Sequence, residues 1–236
     1  MGVVRLQRTE VDPVAGGFYT VQEAARLLNI QGSQKITGWL KGWRGGSAPV
    51  IQRQYAPIER VQELGFWDLM EARFVHHFRE QGVSLQSLRR AAETARAELK
   101  QDHPFATSNV KFLTDRKEVF LKTAKDLRDN MLLNLVTKQF AMYEVLEEVL
   151  AKGVEFDPSS GLASRWTPKP KEFPAIVVDP LVAYGQPAID REGVPTDALY
   201  AAWKAEGGNI RAVSDWYEVD EALVRQAVEF EIGLPN

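Results

Sequence analysis

Cysteine is absent from the sequence. That excludes disulfides, thiolate-held zinc and a cysteine nucleophile, and it favours a reducing compartment, so the expected location is the cytoplasm. Histidine occurs only three times. His76 and His77 are adjacent on an expected helix and point roughly 100° apart, which cannot make the i, i+4 pair of a helical metal site. His103 sits at a helix stop, Asp102-His103-Pro104, and all three read as structural. No apolar run approaches the roughly 20 residues of a membrane span, and MGVVRLQRTE lacks a signal-peptide core, so no membrane partner is expected. There is no Walker or Rossmann glycine loop, and no Ser-His-Asp or carboxylate set at motif spacing. The sequence therefore offers no case for catalysis, a metal or a cofactor, and the expectation is a non-enzyme.

What remains is an ordinary globular composition: 236 residues, 26% charged and 44% hydrophobic. The net charge of −3 conceals a gradient. Residues 1–60 carry 8 cations against 4 acids, residues 61–150 carry 13 against 14, and residues 151–236 carry 8 against 14. Only the N-terminal part suits a polyanion; the acidic C-terminal third would be repelled from phosphate and points to a protein partner or a second copy.

The basic part centres on residues 18–55. Thr20 and Glu23 have the S/T-x-x-E spacing of a capping box, and Ala24, Ala25, Leu27 and Leu28 give the short helix that follows its packed side. Asn29, Gly32 and Ser33 break it, and a second helix is expected from Gln34 to Lys41. Two short helices joined by a tight turn make a helix-turn-helix, whose second helix enters the DNA major groove. Ile36, Trp39 and Leu40 fall on one side of that helix. Gln34, Lys35, Gly38 and Lys41 fall on the other, where Gln and Lys can meet base edges or phosphates and Gly permits close approach; Thr37 joins this set. After a bend at 43–47, Val50–Tyr55 alternates as a strand and suggests a wing, with Arg44 and Arg53 as phosphate contacts and Tyr55 beside them.

Phe66 to about Gln81 reads as a helix with Phe66, Leu69, Met70, Phe74 and Phe78 on one stripe. Ser84 caps the next, in which Leu85, Leu88, Ala92, Ala95 and Leu99 face inward, while Arg89, Arg90 and Arg96 lie away from that stripe and read as a solvated face, with phosphate contact as the alternative. The order of helix-turn-helix, basic wing, helix, the break EQGVSLQSLRRA and a further helix resembles the N-terminal domain of MerR-type regulators over residues 18–100. The resemblance implies DNA binding. The missing cysteines and the absence of a long coiled coil directly afterwards depart from the usual effector-sensing pattern.

Residues 109–122 alternate around Thr114-Asp115-Arg116 and predict a hairpin. Asp126 to about Lys152 predicts a long helix with a broad apolar stripe, in which Leu132, Val136, Phe140 and Tyr143 are dimerisation candidates, because paired helix-turn-helix units read half-sites one DNA turn apart. Residues 154–174 are rich in Pro, Gly and Ser and read as a linker containing Arg165-Trp166, an aromatic that such a linker keeps only if it docks, in the first place on its own domain. In the last part, two short strands flank Asp179-Pro180. Thr196 is expected to cap one helix, Asn209 precedes a second over Ile210–Tyr217, and Asp220 caps a third with Val219 and Val224 as a staple.

This C-terminal pattern, carried by Asp179-Pro180, Gly185-Gln186-Pro187, Pro195-Thr196, Val213 and Trp216-Tyr217, resembles a small bacterial domain of unknown function common in antitoxins encoded beside PIN-domain ribonuclease toxins. The whole arrangement is similar to long VapB-type antitoxins. The expected fold is mainly α with small β hairpins. It comprises a MerR-like winged helix-turn-helix (1–104), a hairpin and long helix forming a core or dimer element (105–153), a linker (154–174) and a three-helix, helix-turn-helix-like domain (175–236). The resemblance implies a homodimeric antitoxin that binds operator DNA, represses its own operon and neutralises a PIN-type toxin, for which Arg165 and Trp166 are the candidate contacts. The alternative is a stand-alone MerR-like regulator without metal or redox sensing.

Overall fold

In a computed structural model, residues 16–42, 46–55, 63–107, 110–130, 132–133 and 152–235 are described. Among the described residues the chain is mainly helical, with three two-stranded antiparallel pairs. The first two helices are α1, Val21–Leu27, and α2, Gln34–Lys41. The capping box opens α1 as its spacing requires: the Glu23 N–H donates to Thr20 Oγ1 at 3.1 Å, and the Thr20 N–H donates to the Glu23 carboxylate at 2.7 Å. Asn29 ends it in the left-handed region (φ 53°). There its N–H reaches the Arg26 carbonyl (3.2 Å) and that of Ile30 reaches Ala25 (2.8 Å), the paired bonds of a Schellman turn.

Strand β1, Tyr19–Thr20, pairs with β2, Glu63–Leu64, and so ties the entry of α1 to the start of α3, Phe66–Glu80. Helix α4 is Leu85–Leu99, capped by Ser84, whose hydroxyl accepts from the Ser87 N–H at 3.0 Å. The stripe Phe66, Leu69, Met70, Phe74 and Phe78 is buried as its spacing predicts, and so are Leu88, Ala92 and Ala95 opposite.

The hairpin expected over 109–122 is instead a helix, α5, Val110–Leu127. Val119, Phe120, Thr123 and Ala124 are buried at helical spacing, and Phe120 lies 5.4 Å from Phe78 in a stack that also takes in Phe74 and Phe105. Burial of aromatic surface outweighs the local alternation. The helix expected from Asp126 onward is likewise displaced: Arg128 turns left-handed (φ 52°), and Asp129 caps a new turn by accepting from the Leu132 N–H at 3.0 Å. Leu132 is fully buried in this chain's own core, which corrects its assignment to a dimer surface. Val136, Phe140 and Tyr143 lie outside the described residues.

The span read as a linker folds as a hairpin of β3, Val154–Phe156, and β4, Ala163–Trp166. Trp166 is buried in the N-terminal core, with the Arg73 guanidinium 5.1 Å from its ring centre, and its backbone exchanges two hydrogen bonds with Val178. Tertiary burial of one aromatic overrides a composition that reads as loop.

The last part follows the expected order: β5, Ile176–Val177, against β6, Ala188–Ile189, then α6, Thr196–Ala205, α7, Ile210–Tyr217, and α8, Glu221–Ile232. Asn209 and Asp220 cap α7 and α8, and Val219 and Val224 are buried around the second cap. Thr196 is the exception. It is the first residue of α6 and caps nothing; its hydroxyl donates to Glu231 on α8 at 2.5 Å.

Candidate nucleic-acid interface

Helix α2 is held by its apolar side. Ile36, Trp39 and Leu40 are buried, whereas Gln34, Lys35 and Lys41 are exposed and Thr37 is half-buried. Among the described residues neither Lys35 nor Lys41 forms an ion pair. Lys35 stands close enough to His76 on α3 that its charge, together with the burial that dominates, lowers the imidazole pKa against the pull of Glu80. The helix thus presents a small cationic, hydrogen-bonding face. Gly38 is not part of it: it is buried with the apolar side, which corrects the expectation that it lies open to a ligand.

The chain returns tightly onto α2. Gly42 turns left-handed (φ 78°) and a Cβ there would overlap the Ser47 carbonyl oxygen, so the bend requires glycine. The N–H groups of Val50 and Ile51 then both donate to the Trp39 carbonyl, at 2.9 and 3.2 Å, and both side chains are buried. This anchoring replaces the alternating strand expected at 50–55, which forms no ladder among the described residues. Two arginines expected in solvent hold the same segment: Arg89 donates to the Ala48 carbonyl and Arg96 to the Val50 carbonyl, each at 2.5 Å.

Two further residues expected on DNA face inward. Arg53 donates to the Glu63 carbonyl at 3.1 Å and its Nε is buried. The Tyr55 hydroxyl donates to the Gly17 carbonyl at 3.0 Å. Arg44 lies outside the described residues. Of the eight expected contacts, the structure leaves Gln34, Lys35 and Lys41 outward and Thr37 partly so.

The structure also holds a buried polar cluster that sequence reading missed. Asp68, fully buried on α3, accepts the N–H groups of Gly65 (3.0 Å) and Gln54 (3.0 and 3.1 Å to its two oxygens). Glu71 accepts from the Phe105 N–H at 3.1 Å. His103 Nδ1 stands 3.7 Å from Asp68 and 3.8 Å from Glu71. Burial pushes the Asp68 pKa up to about 6, against the opposing effect of His103 and the two N–H donors. Burial alone would lower His103, but Glu71 and Asp68 outweigh it and raise its pKa. The cluster latches the segment after α2 to the start of α3, and Gln54 closes the latch by accepting the Trp67 N–H at 3.1 Å. The signal available was Asp68 three residues after Gly65, the N3 position of a helix.

The two residues expected to meet a toxin are engaged inside the chain. Arg165 pairs with Asp190 at 2.5 Å and approaches Glu155 at 3.6 Å, and Trp166 is buried. Among the described residues no group of acids and histidines could hold a metal ion, and no helix is long and apolar enough to cross a membrane.

No family model matches this sequence. The chain is 27% identical over 228 residues to a Mycobacterium tuberculosis protein named "Putative antitoxin VapB45", covering 90% of this chain and 92% of that one. The crystal structure of Rv2018 from Mycobacterium tuberculosis superposes with a TM-score of 0.66 at 25% identity, covering 89% of this chain and 96% of that one. The chain is thus similar, nearly end to end, to a distant relative that carries a VapB-type antitoxin name and to a solved structure of the same overall fold.

Proposed function

We propose that this chain is a DNA-binding antitoxin of a type II toxin–antitoxin system. In this reading it is a non-enzymatic protein that binds its own operator as a homodimer and neutralises a PIN-type ribonuclease toxin. The single observation that carries the DNA reading is the sorting of α2, with Ile36, Trp39 and Leu40 buried and Gln34, Lys35 and Lys41 exposed. A helix held in this way can lay its outer face along a major groove, with Gln34 on base edges and the lysines on phosphates. The near full-length similarity to a protein named as an antitoxin supports the second half of the reading.

Binding of the purified chain to the DNA upstream of its own gene, against random DNA over a range of salt, tests the first half. Operator DNA should bind at least about a thousandfold tighter than random DNA; equal affinity would refute operator recognition. Co-purification with the product of the adjacent reading frame tests the second.

A further inference from the structure

Arg89 on α4 is held beside α2 without being neutralised. Its Nε–H donates to the Ala48 carbonyl at 2.5 Å, and the N–H groups of Val50 and Ile51, a few residues on, donate to the Trp39 carbonyl of α2. The stretch 46–51 thus joins the two helices. A carbonyl offers a dipole and no counter-charge, so the Arg89 guanidinium is oriented while keeping its charge, and both of its NH2 groups remain for a ligand. Among the described residues Arg89 forms no ion pair. Glu93 on the same helix pairs with Arg90 at 3.7 Å, and Asp126 lines the shallow groove beside both arginines without pairing with either. Arg96, about two turns along α4 on the same side, donates to the Val50 carbonyl and, through Nε, to that of Asp102 at 3.2 Å. The intervening Gly46, Ser47, Ala48 and Pro49 bring no acid and little bulk. Around Gly46 the space is open: beyond its chain neighbours, no atom stands within 4 Å of where a Cβ would be.

We infer that Arg89 grips a backbone phosphate of the duplex whose major groove takes α2, with Arg96 as the positioning residue that holds the 46–51 stretch between them. This rests on the DNA reading of α2. A helix seated in a major groove is flanked by the phosphates of the groove's walls, so the segment that follows it, and the side chain that pins that segment, stand next to the sugar-phosphate backbone. A stiff duplex can close on α2 only if that segment is small, and 46–49 is made of small residues. The edge formed by the two free NH2 groups of a fixed guanidinium matches a phosphate, to which it can give two parallel hydrogen bonds. The contact carries no base information. It sets how α2 is seated and adds one neutralised phosphate to those met by Lys35 and Lys41.

The test uses the full chain and the DNA upstream of its own gene, with affinity measured from about 50 to 200 mM salt. Arg89→Gln should weaken binding on the order of tenfold at the low-salt end, alike on operator and random DNA, and lower the salt slope by about one. Arg89→Lys keeps the charge and should keep the slope. A methylphosphonate that removes the charge of the gripped phosphate should cost the wild type as much as Arg89→Gln does, and cost that variant nothing further. Both variants should melt close to the wild type. If the wild type binds and Arg89→Gln keeps its slope, or Arg89→Lys loses it equally, Arg89 only pins the 46–51 stretch, and the inference is overturned while the reading of α2 stands. If the wild-type chain binds no DNA, that reading fails and takes this inference with it.

Discussion

Arg26 on α1 forms an ion pair with Glu231 on α8 at 2.7 Å, across 205 positions of sequence. Its other nitrogens donate to the Glu231 and Pro235 carbonyls, both at 3.2 Å, and the second Glu231 oxygen accepts from Thr196. The last helix is thereby fastened to α1, and Leu27 packs against both hydrophobic cores beside it. A second tie lies nearby, where the Phe18 N–H donates to the Tyr184 carbonyl at 3.2 Å.

Arg26→Ala should cost about 2–3 kcal/mol, since it leaves the buried Glu231 carboxylate with only the threonine hydroxyl. Adding Glu231→Gln should recover part of that loss, because the uncompensated charge is then gone. Urea unfolding of the two single variants and the double variant measures the coupling; strictly additive losses would show that the pair does not act as a unit.

The Asp68–His103 cluster sets a pH dependence. The folded Asp68 holds its proton up to about 6, above the ordinary carboxylate value of 3.8, and His103 is also raised. Both groups thus bind protons more tightly folded than unfolded. Their stabilisation is complete below the unfolded values and declines as pH rises, first through about 6 for Asp68 and then through the raised His103 value. The urea midpoint should fall across this window, and His103→Gln should flatten its upper part.

On DNA, Lys41→Ala should weaken binding to every sequence and reduce the salt slope by about one, whereas Gln34→Ala should cost about 1–3 kcal/mol at particular base pairs. Arg53→Ala makes a contrast. Because Arg53 is tied to the Glu63 carbonyl, its removal should lower the melting temperature and leave the salt slope unchanged. Salt titrations of the three variants separate these outcomes.

Phe120→Ala should destabilise by about 3–5 kcal/mol, the cost of removing a fully buried aromatic from a packed core. A hairpin at 109–122 would have spread its residues over two faces, and a loss under about 1 kcal/mol in thermal unfolding would contradict the helical packing of α5.

Gly42→Ala should lower stability by more than the roughly 1 kcal/mol of an unfavourable backbone alone. The added Cβ would meet the Ser47 carbonyl and push the returning chain off the Trp39 carbonyl. Hydrogen exchange at the Val50 and Ile51 amides should quicken with it, since those bonds depend on the bend.

By itself the sequence determined what is local. The Thr20–Glu23 box, the bounds of α2, the Ser84, Asn209 and Asp220 caps and the apolar stripe of α3 are written in spacings of three and four residues. Those spacings act through hydrogen bonds and neighbours on one helix, and the charge gradient needs only counting. The tertiary structure decided everything that depends on a distant partner. Glu231 shows the boundary best: it continues the stripe of Val224, Ala227 and Val228 at helical spacing and is buried with them, so an acid stood in plain sight at an inward position. Its counter-charge, Arg26, could not be read from any local window. The same reason explains why Arg53, Arg89 and Arg96 hold backbone carbonyls, why 154–166 pairs as strands, and why 110–127 is helical. A long cation, a loop-like composition or an alternating run leaves several local states close in energy, and burial against residues far along the chain selects one of them.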